Sequence, residues 1–151
     1  MNNNNNINTV FNSNLIAHVF RLHSGQDLYQ EIKKYIEINN IKAGCILTCV
    51  GSLSNINIRL ANAKDFLKLK QCFEITSLVG NISCNDRIHL HISISDINGK
   101  TFGGHLCETG NIVHTTAEIV IGEMPLLKFK KEKDEISGWN ELKIEKNDKN
   151  N

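Results

Sequence analysis

Three histidines near the middle of the chain have the spacing of a metal site. His89 and His91 stand two residues apart in an apolar, β-rich segment, and His105 follows the pair Gly103-Gly104. Because successive side chains of a strand point to opposite faces, His89 and His91 share one face, away from the aliphatic residues around them. Imidazole nitrogens bind zinc, so a third histidine on that face would complete a three-histidine set. The alternative is that His89 and His91 are simply solvated on the polar face of a strand.

The turn between the two strands decides whether His105 joins the pair. A two-residue loop would set His91 opposite Leu106 and mix polar and apolar side chains on each face. A three-residue loop, 97–99 with Gly99 in the left-handed conformation, sets His91 opposite His105 and makes each face uniform, as a half-buried sheet requires. We therefore predict the three-residue loop.

This register predicts that His89, His91 and His105 bind one divalent metal ion, with zinc as the expected cation. The same register sets Cys107 opposite His89 as a candidate fourth ligand. Four protein ligands would make the site structural, whereas three would leave one position for water.

An open three-histidine site is also compatible with an enzyme. A metal ion bound in this way lowers the pKa of its water to about 7 and so supports hydrolysis. Glu118 would be the general base of such a hydrolase, and His114, on the same predicted strand face, would polarise or position the substrate. A structural hydrogen bond or an intersubunit contact is the alternative role of Glu118. A binding module is therefore the first prediction, and a metal-dependent hydrolase is the second.

The bulk composition bounds the remaining function classes. A chain of 151 residues, 40% of them hydrophobic, predicts one domain with a packed core. The net charge of +1 gives no general attraction to nucleic acid or acidic membranes. Five cysteines without a CxxC pair, and no secretory signal, predict reduced thiols in an intracellular protein, cytoplasmic or nuclear. No apolar run approaches the roughly 20 residues that span a bilayer, so no membrane partner is expected.

Hydrophobic patterning predicts an α+β fold with a mainly antiparallel β-sheet and one principal helix. The helix carries Leu28, Ile32 and Ile36 on one stripe after Asp27 and ends near Asn39-Asn40. Outside the histidine hairpin, the predicted strands are 15–22, 41–53, 56–61, 72–82, 112–121 and 126–131.

The chain is predicted to consist of a domain between two polar tails. Residues 1–14 form an asparagine-rich tail that is expected to be disordered. Residues 15–143 form the domain, and residues 144–151 form a polar C-terminal tail. Within the domain, a break near Gly51-Ser52 is expected to separate two antiparallel strands, and the charged segment 64–70 is expected to be irregular.

Motifs of one known family occur along most of the chain. They are Arg21-Leu22, Gly25–Leu28, Val50–Leu53, Phe73–Ile75, Ile88–Asp96, Gly103–Leu106, Thr115–Val120 and Ser137–Leu142. Together these motifs resemble the PPC domain, the plants and prokaryotes conserved family, over about residues 16–143. Cys72 departs from the pattern, because the family usually has glycine at this position.

The resemblance implies a PPC-domain fold that assembles as a homotrimer, in a family described as predicted DNA-binding proteins. It also implies that His89, His91 and His105 are metal ligands, as in the prokaryotic members. In plant members the domain accompanies AT-hooks and associates with other nuclear proteins, but this chain has no Arg-Gly-Arg-Pro core of an AT-hook. Its lysines between 128 and 133 are interleaved with acidic residues. We therefore expect a regulatory or assembly module with weak, salt-dependent DNA association.

Overall fold

The computed structural model describes residues 10–84 and 87–147. Its elements are β1 (Ile16–His23), α1 (Leu28–Ile38), β2 (Gly44–Arg59), β3 (Phe66–Ser83), β4 (Arg87–Ser95), β5 (Thr101–Leu106), β6 (Val113–Glu123), β7 (Leu127–Lys133) and β8 (Asn140–Lys146). The predicted α+β class is confirmed. Residues 1–9 of the predicted N-terminal tail and 148–151 of the predicted C-terminal tail lie outside the described residues. Among the described residues, no helix is long and apolar enough to cross a membrane.

Six strands form one antiparallel sheet that curls back on itself. Their order is β1-β6-β2-β3-β4-β5, and β5 also pairs with the end of β2. This closure consists of two residue pairs, Ile58 with Leu106 and Arg59 with His105. Strands β7 and β8 pair with each other in a second sheet. The closure brings the end of β2 against the strand that carries the third histidine.

Helix α1 has the predicted apolar stripe and the predicted end. Leu28, Ile32 and Ile36 are buried in the main core. At the C-terminus, the side-chain amide of Asn39 donates a 2.8 Å hydrogen bond to the carbonyl of Tyr35. This bond satisfies one of the carbonyls that a helix end leaves without a backbone partner, and the helix ends there.

Asp27 connects the start of α1 to the loop that follows β5. One carboxylate oxygen accepts hydrogen bonds from the amides of Tyr29 (3.0 Å) and Gln30 (3.3 Å), which is the usual N-cap arrangement. The other oxygen accepts hydrogen bonds from the amides of Gly110 (2.7 Å) and Asn111 (3.2 Å). A single side chain therefore holds the helix start and this loop together.

The prediction that segment 64–70 is irregular is wrong, because the segment belongs to β3 from Phe66 onward. Leu67 and Leu69 pack against the main core, whereas Lys68 and Lys70 are exposed. The segment therefore alternates with the period of a half-buried strand. The charged lysines of this segment lie on its exposed face, so they are compatible with a strand and do not indicate an irregular segment.

The predicted reversal near Gly51-Ser52 is also wrong. Strand β2 passes through these residues and continues in the same direction to Arg59. Its pairing with β6 shifts register between Gly51 and Leu53. Such a β-bulge bends a strand without ending it, so the glycine and serine mark a distortion and not a turn.

Strand β8 was not predicted from the sequence. It pairs with β7 along its whole length, with Phe129 opposite Ile144. Leu127 and Phe129 are buried in a small second core, against which Leu142 and Ile144 pack. Trp139 directly precedes β8, in the turn at the tip of the β7–β8 hairpin.

Candidate metal centre

The β4–β5 hairpin has the predicted three-residue loop. The amide of Asp96 donates a 3.0 Å hydrogen bond to the carbonyl of Lys100, and Gly99 has the predicted left-handed conformation with φ +76°. His91 lies directly opposite His105. The register that unites the three histidines is therefore confirmed.

The three imidazoles gather on the outer face of this hairpin. Their ring centroids are 5.1 Å apart for His89 and His91, 5.2 Å for His89 and His105, and 5.5 Å for His91 and His105. One nitrogen of each ring lies within 4.8 Å of the other two, and the Nε2 atoms of His89 and His91 are 3.2 Å apart. Two nitrogens bound to zinc in a tetrahedral arrangement lie about 3.3 Å apart. The His89–His91 pair thus already has the length of one edge of a zinc tetrahedron.

The environment of His105 also fits a metal ligand. Burial first, and then the positive charges of Arg59, His89 and His91, lower the pKa of His105 from 6.5 to about 4. The ring is therefore neutral at pH 7, which is the state that binds a metal ion. Its buried Nδ1 has no hydrogen-bond partner in the described part of the chain, although buried polar atoms normally have one. The spacing of the three residues and the neutral state of His105 both fit a divalent metal ion.

Gly104 allows β5 to approach β2 closely enough to place His105. A β carbon at this position would lie 2.7 Å from the carbonyl oxygen of Arg59, closer than real β carbons approach a backbone oxygen. Glycine removes this clash and permits the pairing of Arg59 with His105. The glycine before His105 is thus part of the construction of the site.

The histidines line an open cleft of about 760 Å³. Tyr29 of α1 and Arg59 of β2 contribute to its wall, together with Glu108 from the loop after β5. Lys131 and Trp139 of the β7–β8 hairpin line the same cleft. Apolar walls with a few charged groups are typical of small-molecule sites. The three imidazoles are therefore accessible to a ligand.

Tyr29 and Glu108 are neighbours in this cleft. Burial and the negative charge of Glu108 raise the pKa of Tyr29 to about 12, so its phenol stays protonated at neutral pH. Tyr29, Arg59 and Glu108 were not predicted as site residues, because three distant segments supply them. The outward position of Arg59 next to the buried Ile58 was the available signal.

Glu118 and His114 do not join the histidines of the same chain. Glu118 is exposed on β6 and lies opposite Val50 of β2. Val50 is nine positions before Arg59, and a strand of that length extends about 30 Å. Neither Glu118 nor His114 lines the histidine cleft.

Cys107 also lies outside the three-histidine group in the described part of the chain. Its amide donates a 3.1 Å hydrogen bond to the carbonyl of Asn57 on β2. Burial raises the pKa of its thiol, which favours the protonated form over the thiolate that binds metals. Within the described residues, the structure therefore brings three candidate ligands together and not four.

Comparison with known proteins places the chain in a family. Residues 11–125 match the family described as the Plants and Prokaryotes Conserved (PCC) domain, for which PPC is the other abbreviation. The chain belongs to this family. The matched PPC region contains α1, the β4–β5 hairpin and all three histidines.

A curated relative contains this PPC domain as a small part of a larger protein. It is the Bifunctional protein GlmU of Synechococcus sp. (strain JA-3-3Ab), which is 39% identical over 132 residues. These residues are 87% of this chain and 21% of the relative. The chain thus spans about a fifth of the length of the curated relatives it matches.

Solved structures share the fold over nearly the whole domain. A hypothetical protein from Salmonella cholerae-suis (Salmonella enterica) is 34% identical, with a TM-score of 0.87 over 90% of this chain and 97% of that one. The metal-containing protein AF0104 from Archaeoglobus fulgidus is 25% identical, with a TM-score of 0.72 over 89% of this chain and 98% of that one. A protein described as metal-containing therefore has the same fold.

Proposed function

We propose that this PPC domain binds one divalent metal ion, zinc, through His89, His91 and His105. The observation that carries the proposal is the 3.2 Å separation of two Nε2 atoms beside a third, neutral imidazole. The description of the Archaeoglobus fulgidus neighbour as metal-containing supports it. In this function the metal ion has three protein ligands and faces an open cleft, so a further ligand can reach it.

Elemental analysis of the purified protein tests the metal site. We expect about one zinc ion per chain, because the three imidazoles form one ligand set. His91→Ala removes one of the three ligands and is expected to lose the metal. His114→Ala is the matched control, since His114 is an exposed histidine outside the cleft. Metal retained by His91→Ala at the wild-type level would refute the assignment.

The proposed function includes assembly as a homotrimer. Val19 of β1 is 73% exposed and Val50 of β2 is 52% exposed, and both belong to the sheet region formed by β1, β6 and β2. Strand β1 is also an edge of this sheet. Exposed apolar side chains and a free sheet edge are both features that oligomerisation covers. Glu118 lies opposite Arg21 on the same strands, where it would make an intersubunit contact.

Light scattering tests the assembly. The expected mass is about 51 kDa, three times the 17.0 kDa of one chain. Val19→Glu introduces a charge at the proposed interface and is expected to shift the protein toward monomer. Ile97→Glu is the control, because Ile97 is 87% exposed in the hairpin turn. A monomeric wild-type protein would contradict the trimer.

A regulatory or assembly role fits the proposed metal site and homotrimer better than tight DNA binding does. Three of the six lysines in β7 and β8 are in ion pairs: Lys128 and Lys130 pair with Glu145 at 3.0 and 2.9 Å, and Lys143 pairs with Glu132. Lysines engaged in such pairs contribute less to phosphate binding. Any DNA association of this domain is therefore expected to be weak.

A metal-dependent hydrolase is the second candidate, and Glu108 is the observation that favours it. This carboxylate lines the same cleft as the histidines and would serve as the general base in place of Glu118. A bound divalent ion with an open position would supply Lewis acidity. Ester hydrolysis that depends on both zinc and Glu108, tested with Glu108→Gln, would support it. Hydrolysis unaffected by Glu108→Gln would exclude this role.

A further inference from the structure

Arg59 presents an unpaired cation next to the histidines. Its backbone pairs directly with His105, and directly opposed residues of a sheet place their side chains on the same face. The guanidinium lines the cleft and is close enough to lower the pKa of His105. In the described part of the chain, the guanidinium of Arg59 has no hydrogen-bond or ion-pair partner. A planar group with five donors therefore faces the cleft without an acceptor.

The charges of the cleft leave room for an anion. Arg59 and Lys131 bring two positive charges, and Glu108 and Glu141 bring two negative ones. Imidazoles bind a metal ion in their neutral form, so three histidine ligands leave the double charge of a bound divalent ion uncompensated. An acid group supplied by a ligand would restore the balance.

The cleft also has an apolar surface for the body of a ligand. Trp139, at the tip of the β7–β8 hairpin, lines the cleft and is 63% exposed. Leu60 and Ala61 follow Arg59 along the wall. An exposed tryptophan beside a charged pocket is a favourable surface for a flat apolar group, because its ring buries a large area on contact.

We propose that the cleft binds a small organic acid that has an apolar body and a carboxylate or phosphate group. The guanidinium of Arg59 holds the acid group beside the metal ion, since its fork matches both oxyanions. The apolar body lies against Trp139. This inference rests on the proposed metal function, because the metal ion is the second anchor of the acid group.

Fluorescence titration of the zinc-loaded protein tests the inference. Trp139 is the only tryptophan of the chain, so its emission reports occupancy of the cleft. The probes are benzoate and phenyl phosphate, which carry the two acid groups, and benzamide, which is a neutral analogue. We expect both acids to change the emission saturably and benzamide to bind far more weakly. The tighter of the two acids identifies the oxyanion that the site prefers.

Variants at Arg59 separate this inference from general charge effects. Arg59→Gln is expected to weaken binding of the acids by about 10- to 100-fold, because it removes hydrogen bonds to a charged group. Arg21→Gln, the same change on β1 outside the cleft, should leave binding unchanged. Arg59→Lys keeps the charge and loses the fork, so an intermediate loss is expected, and this variant decides the matter if Arg59→Gln does not fold.

The outcomes distinguish the two proposals. If zinc is bound but the acids do not bind, or bind equally well to both Arg59 variants, the inference is overturned and the metal function stands. If elemental analysis finds no zinc on the wild-type protein, the metal function fails and the two-anchor site fails with it. Zinc retained by Arg59→Gln together with a loss of acid binding supports both.

Discussion

Acid should destabilise the metal-free protein through His105. The pKa of this residue is about 4 in the folded protein, against 6.5 for an ordinary histidine. The unfolded chain therefore binds more protons than the folded one between these values, so stability is lost as the pH falls from 6.5 to about 4. The full difference corresponds to about 3.4 kcal/mol. Because His105 is only half-buried, solvent screening reduces the expected loss to about 1–2 kcal/mol.

Urea unfolding of chelator-treated protein at pH 7 and pH 4.5 measures this loss. His105→Gln is the comparison, since glutamine is polar and does not titrate. The wild-type protein should lose about 1–2 kcal/mol more than the variant over this range. Equal losses in the two proteins would show that the folded state does not exclude the proton from His105, and the electrostatic account of the site would be wrong.

The remaining predictions concern other parts of the structure. Gly104→Ala should destabilise the fold by about 1–3 kcal/mol and reduce zinc content, because the added methyl group meets the Arg59 carbonyl; thermal unfolding and elemental analysis measure both effects. Asp27→Ala should lower the free energy of unfolding by about 1 kcal/mol or more through loss of the helix cap, as measured in urea. DNA affinity by fluorescence anisotropy should fall steeply with salt, and a tight complex that salt does not weaken would contradict the paired state of the Lys128 and Lys130 charges.

The histidine hairpin could be predicted because its constraints are local. One turn and two strands decide the register, and only one register places His91 opposite His105 while keeping each face uniform. The helix was predictable for the same reason, since its stripe and its cap lie within one short segment.

The rest of the site depends on contacts between distant segments. Arg59 and His105 meet because the sheet closes, and nothing within either strand specifies that closure. The charge of segment 64–70 predicts an irregular segment, whereas its alternation, with Leu67 and Leu69 packed on the core, is the signal that decides its structure. The sequence does not predict strand β8, because its apolar signal is short: only Leu142 and Ile144 pack against the small second core.

The two carboxylate oxygens of Asp27, which bond the helix start and the loop after β5, bear on which part of the cleft can move. This side chain connects the helix turn that carries Tyr29 to the loop that follows Glu108, so we expect these two walls to move together. The tip of the β7–β8 hairpin is closed by its own bond, from the amide of Asp134 to the carbonyl of Trp139 at 2.9 Å. Because Ile136 and Trp139 are exposed at this tip, we expect amide exchange to be faster there than at Gly110, and a change in the width of the cleft to come from the tip.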